Sequence, residues 1–261
     1  MFILYKNTKV HFSDLGKGSA VVLLHGFLEN SSMWNFIADK LSKKNRVICI
    51  DLLGHGQTEN HGYIHSMEDQ AAIVKAVLSN LKLRKYVIVG HSMGGYVALS
   101  FAKLFSENVK GICLMNSTAL PDSEEKKINR DRAIKAVKQN HKTFVRIAIP
   151  MLFSEKNREL FSSEIKEITN EALKISTQGI IAALEGMKIR EDYTSIYKSA
   201  NFPIEMIIGK QDPALDYNSL IEQTKSTNVQ VVEFPDGHMS HIENKEDLIS
   251  NLEQFARSCF R

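Results

Sequence analysis

The sequence predicts an α/β fold: a mostly parallel sheet of about eight strands flanked by helices, with a helical insertion. Three observations predict it. Short apolar runs without polar alternation recur at residues 20–24, 46–50, 86–89 and 109–115, which is how strands covered on both faces read. Helix-period segments separate them, so consecutive strands are joined by crossovers rather than hairpins. Finally, Gly90-His91-Ser92-Met93-Gly94 sits between one such run and a helical pattern. That is the strand–sharp turn–helix setting in which a G-x-S-x-G serine is presented above a sheet edge.

The elements follow in order. Residues 3–5 and 9–12 read as a leading hairpin joined by Lys6-Asn7-Thr8, and Gly16-Lys17-Gly18 turns the chain into the first buried strand at 20–24. His25-Gly26-Phe27-Leu28 follows, then a polar Asn30-Ser31-Ser32 start to a helix carrying Trp34 and Ile37. The strand at 46–50 ends in Asp51-Leu52-Leu53-Gly54-His55-Gly56. A helix is expected over 66–81, with Ser66 and Asp69 as its cap and Ile73, Val74, Val77, Leu78 and Leu81 on one face. After the serine turn, a helix over 95–105 turns Val97, Ala98, Phe101, Leu104 and Phe105 inward, and 109–115 is another buried strand.

The alternation then stops. Residues 121–199 contain helical patterns only, with stripes at Phe161, Ile165, Ile168, Ala172 and Ile175 and at Ile180, Ile181, Leu184 and Met187. They are expected to form a helical cap inserted into a core domain made of 1–120 and 200–261. Strand logic resumes at 204–208, followed by Gly209-Lys210-Gln211-Asp212, and at 229–234, followed by Pro235-Asp236-Gly237-His238; a helix over 245–257 closes the chain.

Composition narrows the function classes. With 261 residues, 43% hydrophobic, 24% charged and a net charge of +3, the chain reads as one ordinary globular α/β domain. No basic cluster interleaved with aromatics argues for nucleic acid. No apolar run of about 18 residues argues for a membrane span, and the apolar start is too short for a signal-peptide core. Cys49, Cys113 and Cys259 are an odd number without ligand spacing, and Cys49 and Cys113 read as buried small hydrophobes. A reducing, cytoplasmic setting is expected. His55, His61 and His65 are spaced like metal ligands, but no cysteine or carboxylate completes the set, so no metal or cofactor is expected.

Ligand sites in open α/β sheets lie at the carboxyl ends of the strands, where His25-Gly26-Phe27, the Asp51 turn, Ser92, Asp212 and His238 all fall. A serine hydroxyl is activated by an adjacent imidazole, which needs a carboxylate to fix its tautomer. The order Ser92, Asp212, His238 is one of the three chain orders in which that constellation occurs. His241 could stand in for His238 and Asp216 for Asp212, although Asp216 reads better as a helix cap.

On His25-Gly26-Phe27-Leu28 with Trp34, Asp51-Leu52-Leu53-Gly54-His55-Gly56, Gly90-His91-Ser92-Met93-Gly94-Gly95, Gly209-Lys210-Gln211-Asp212 and Gly237-His238 with Glu243, the chain resembles the α/β-hydrolase superfamily, in particular its cap-bearing serine esterase-like branch. The resemblance spans nearly the full length. It implies Ser92 as nucleophile, His238 as base, Asp212 as orienting acid, and the amides of Phe27 and Met93 as an oxyanion hole. A second acid location used by some relatives holds Asn116 here, which favours Asp212. A substrate pocket is expected from His25, Leu28, Met151, Phe153 and Met187. The expected activity is hydrolysis of a small, fairly apolar ester or related carbonyl compound by a monomer or weak homo-oligomer. A C–C bond hydrolase or lyase, a perhydrolase, or a non-catalytic ligand-binding relative are the alternatives. Serine in the nucleophile position argues against dehalogenase and epoxide hydrolase chemistry, for which relatives use aspartate.

Overall fold

Apolar strands need helices on both faces, and the computed structural model, which describes residues 1–261, supplies them. Eight strands, β1 (Phe2–Tyr5), β2 (Thr8–Gly16), β3 (Ser19–Leu24), β4 (Asn45–Ile50), β5 (Tyr86–His91), β6 (Val109–Met115), β7 (Ile204–Gly209) and β8 (Gln230–Phe234), form one sheet in the order β1-β2-β4-β3-β5-β6-β7-β8. β1 and β2, and β2 and β4, pair antiparallel; the other neighbours are parallel. The first hairpin turns through Lys6 and Asn7, both at positive φ.

Eleven helices accompany the sheet: α1 (Asn35–Leu41), α2 (Met67–Asn80), α3 (Met93–Phe105), α4 (Glu124–Ala148), α5 (Asn157–Leu160), α6 (Ser162–Ala172), α7 (Thr177–Lys188), α8 (Thr194–Ser199), α9 (Tyr217–Thr224), α10 (Ser240–Glu243) and α11 (Lys245–Cys259). Pleating sends alternate residues of β3 to opposite sides. Val22 and Leu24 join the larger core with residues of α2 and α3; Val21 and Leu23 join the smaller one with residues of α1 and α11. Both sets are apolar, which removes the alternation from the sequence.

Caps mark the helix starts. Ser66 accepts a hydrogen bond from the Asp69 amide, and Asp216 accepts one from the Ser219 amide. The stretch between β6 and β7 holds helices α4 to α8 and no strand. Within α4, Asn140 leaves helical geometry and its side chain accepts from the Thr143 amide, restarting the helix after the break.

Leu104 departs from expectation. The helical stripe predicts it inward, but it is 46% exposed. The last turn of α3 packs instead through Phe105, whose ring lies 5.2 Å from that of Phe101. No helix is long and apolar enough to cross a membrane.

Candidate active site

The carboxyl ends of β3, β5 and β7 and the loop after β8 converge on Ser92. The serine occupies the single residue between β5 and α3 and takes φ 49°, ψ −114°, a backbone state that costs energy for a residue with a side chain. The tightness of the turn demands glycine on its inner side: a Cβ on Gly94 would sit 2.4 Å from the Leu24 carbonyl oxygen. The turn is held by the Ser92 amide donating to the Met115 carbonyl and by the Ser117 hydroxyl donating to the Ser92 carbonyl.

Ser92, His238 and Asp212 form one hydrogen-bonded chain. His238 Nε2 lies 2.9 Å from Ser92 Oγ, and His238 Nδ1 lies 2.7 Å from Asp212 Oδ2. Asp212 follows β7, and its Oδ1 accepts from the Ala214 and Leu215 amides. Burial pushes its carboxyl up, but the electrostatic influence of the His238 ring, the hydrogen bond to it and the Ala214 amide outweigh this and hold it below the ordinary carboxylate range. Asn116 donates to Asp212 Oδ2 and to the Gly237 carbonyl, and accepts from the Ser240 hydroxyl. His238 is further fixed by its amide, which donates to the Leu152 carbonyl. The Glu243 carboxylate accepts from the Ser154 amide and hydroxyl, the Asn157 amide group and the Met239 amide. The histidine loop is thereby bound to the helical segment.

The other candidates fall into place differently. Asp216 caps α9. His241 does not reach the serine; its ring is buried behind the site with Nε2 3.9 Å from Glu29 Oε1, and burial lowers its pKa to about 4. The Phe27 amide has no acceptor within the protein. Met93 is the first helical residue, where the helix offers its N–H no acceptor.

A cavity of about 310 Å³ opens above Ser92 and His238, with Phe27, Leu28, Tyr96, Leu152, Leu184 and Met187 among its lining and Lys126, Asn129 and Arg130 contributed by α4. Of the residues expected at a pocket, Leu28 and Met187 line this cavity, and His25, Met151 and Phe153 do not. His25 is buried behind the loop: Nδ1 donates to the Gly26 carbonyl and Nε2 accepts from the Leu52 amide, so it braces backbone rather than facing the cavity. Met151 is 53% exposed, because the tight turn at Pro150–Leu152 aims Leu152 at the cavity and Met151 at solvent. Phe153 is buried against Phe161, away from the cavity.

Sequence reasoning missed the wall formed by Tyr96 and α4, and a buried cluster of Glu29, His91 and His241 behind the serine turn. The α4 wall had a usable signal, since Lys126, Asn129, Arg130 and Ala133 repeat at helical spacing. Asp122 ties this wall down through ion pairs to Arg130 and to Arg190, whose guanidinium covers the Tyr96 ring at 4.1 Å. The three suggestively spaced histidines have separate partners: His55 donates to the Leu53 carbonyl, His61 bonds Thr8, and His65 accepts from the His61 amide.

A family model described as the alpha/beta hydrolase fold matches residues 19–158, more than half of the chain. The chain belongs to the α/β-hydrolase family. Among solved structures, this α/β-hydrolase superposes on a thermophilic esterase from Thermogutta terrifontis (malate bound) with a TM-score of 0.91 at 29% identity, covering 97% of this chain and 94% of that one. A putative 2-succinyl-6-hydroxy-2,4-cyclohexadiene-1-carboxylate synthase of Bacillus subtilis is 30% identical over 86% of this chain and 85% of its own length. An uncharacterised protein of Mycobacterium bovis is 39% identical over 106 residues, 41% of this chain but only 31% of the relative.

Proposed function

We propose that the protein is a serine hydrolase that cleaves small carboxylic esters or related carbonyl compounds through an acyl-enzyme. The observation that carries this is the unbroken chain Ser92 Oγ–His238–Asp212, open to the cavity at the serine end. With its Nδ1–H donated to Asp212, His238 presents a lone pair on Nε2 to the serine hydroxyl. The imidazole accepts that proton as Oγ attacks the carbonyl carbon, then delivers it to the departing alkoxide. A water deprotonated by the same nitrogen attacks the acyl-enzyme, and Ser92 regains its proton as the acid leaves.

The amides of Phe27 and Met93 act as the oxyanion hole in this reading. Loss of one such donor typically costs about 10²–10³ in kcat. Helices α4 to α8 act as the cap, and Leu152, Leu184 and Met187 give the pocket its apolar wall. The likeness to the Thermogutta esterase supports the hydrolase reading.

Hydrolysis of p-nitrophenyl esters from acetate to dodecanoate by wild type and Ser92→Ala tests the proposal. Activity on short chains that disappears in the variant is expected. Equal activity in both proteins, or none in either, overturns it. The Bacillus relative is named as a putative synthase rather than an esterase, which keeps a second reading in view: a C–C bond hydrolase or lyase using the same serine and histidine. Absence of ester turnover combined with cleavage of a diketone-type substrate would favour that chemistry.

A further inference from the structure

His91 immediately precedes Ser92, yet ester cleavage as described gives its ring no task. The ring is 1% exposed, and both of its nitrogens face oxygen acceptors. Nδ1 lies 2.7 Å from Glu29 Oε2 and Nε2 lies 3.0 Å from the carbonyl oxygen of His238. A neutral imidazole has one N–H and one lone pair. It would leave a buried lone pair aimed at an oxygen, so two acceptors call for two N–H groups. Glu29, also buried, supplies the countercharge. Its Oε2 takes a second donor, the Gly26 amide at 2.7 Å, while Oε1 has no hydrogen-bond partner and lies 3.9 Å from His241 Nε2. The packing leaves no slack: a Cβ on Gly26 would lie 2.5 Å from Glu29 Oε2 and 2.8 Å from His91 Nδ1.

We infer that Glu29 and His91 form a permanent buried ion pair that positions the catalytic parts. Through it, the Gly26–Phe27 loop, the β5 strand end bearing Ser92 and the loop bearing His238 are fixed relative to one another. The inference rests on the serine-hydrolase reading, and both residues act through others, touching no reacting atom. The other titratable groups facing His91 are His238 at 5.1 Å and His241 at 5.5 Å between ring centroids, together with His25 and Asp212. Burial disfavours both charges, but their mutual attraction prevails: Glu29 is held at about 2 and His91 is raised. Burial lowers the pKa of His241, and the positive His91 ring adds to that lowering.

Two measurements test this. Ring ¹⁵N NMR of the wild-type enzyme should show both His91 nitrogens protonated from about pH 6 to pH 8, beyond the ordinary histidine midpoint of about 6.5. A His91 ring that becomes neutral within that range overturns the ion pair, whether or not the enzyme cleaves esters. In Glu29→Gln, kcat should fall about 10- to 100-fold with KM changed less than about threefold, because displaced catalytic groups lose transition-state stabilisation rather than uniform binding. Glu29→Asp, which keeps the charge, should recover part of the loss. An unchanged kcat in folded Glu29→Gln, or no difference between Asp and Gln, overturns the positioning role. Failure of the hydrolase reading is distinguishable, because Ser92→Ala then leaves wild-type turnover intact or no ester is turned over at all. Should Glu29→Gln not fold, the wild-type ring spectrum and the Asp variant still decide.

Discussion

Replacing Asp212 by asparagine changes one atom, and the structure dictates where that atom goes. Oδ1 accepts from the Ala214 amide at 2.8 Å and the Leu215 amide at 3.2 Å, so the side-chain carbonyl must stay there. The new NH₂ group therefore occupies the Oδ2 site, 2.7 Å from His238 Nδ1 and 3.2 Å from Asn116 Nδ2. It can only donate, so His238 must turn its Nδ1 into an acceptor and move its proton to Nε2. That proton then points at Ser92 Oγ, 2.9 Å away, and the base is gone while the geometry survives. The corresponding change in a well-studied serine protease triad lowers kcat about 10⁴-fold, which corresponds to about 5.5 kcal/mol of barrier. The same is expected here, with a stability loss of only about 1 kcal/mol for the Asn116 donor left facing another donor. Steady-state hydrolysis of p-nitrophenyl butyrate, together with urea denaturation, reads both quantities. A loss of activity smaller than about tenfold in a folded variant would refute the tautomer argument.

Acid should weaken the fold before it protonates ordinary carboxylates. Burial lowers the pKa of His55 to about 3 and of His65 and His241 to about 4, against 6.5 for a free ring. Between those values the unfolded chain binds protons that the folded chain refuses, so stability declines as pH falls below about 6.5, by at most about 1.4 kcal/mol per pH unit for each ring. His91 opposes this only above about pH 6.5, since a raised pKa contributes stability that is fully present below 6.5 and does not grow further there. Equal urea midpoints at pH 7 and pH 5 would contradict the net effect. At the cavity mouth, Lys126 and Arg130 line the pocket and no carboxylate side chain does. A hemisuccinate ester should therefore gain over a neutral ester of equal length at low salt, an advantage that salt screens. Lys126→Glu should reduce that ratio about threefold or more, and a ratio insensitive to salt and to the substitution would show that the mouth is electrostatically neutral to substrate. Met187→Trp should shorten the longest accepted acyl chain, and an unchanged chain-length profile would place the acyl group elsewhere.

Much of this molecule is legible in the sequence because the relevant signals are local. The apolar runs of β3 to β7 record burial on both faces residue by residue. Ser66 and Asp216 announce their helices because a cap bonds an amide three residues away. The serine turn is equally local, since its glycines answer to a backbone only a few residues distant and to the neighbouring strand. What only the tertiary structure decided involves partners far apart in the chain. Glu29 and His91 are 62 residues apart, and His91 meets the His238 carbonyl across 147. No periodicity encodes such a meeting, so a histidine inside the serine motif reads as filler until its two acceptors are seen. The same holds for Met151 and Phe153. Both are apolar beside Pro150, and their opposite fates, solvent and core, depend on how the helical segment packs over the sheet. Sequence specifies which side chains are apolar and which can ionise; the fold alone brings a carboxylate, a carbonyl and an imidazole to hydrogen-bonding distance where water cannot reach them.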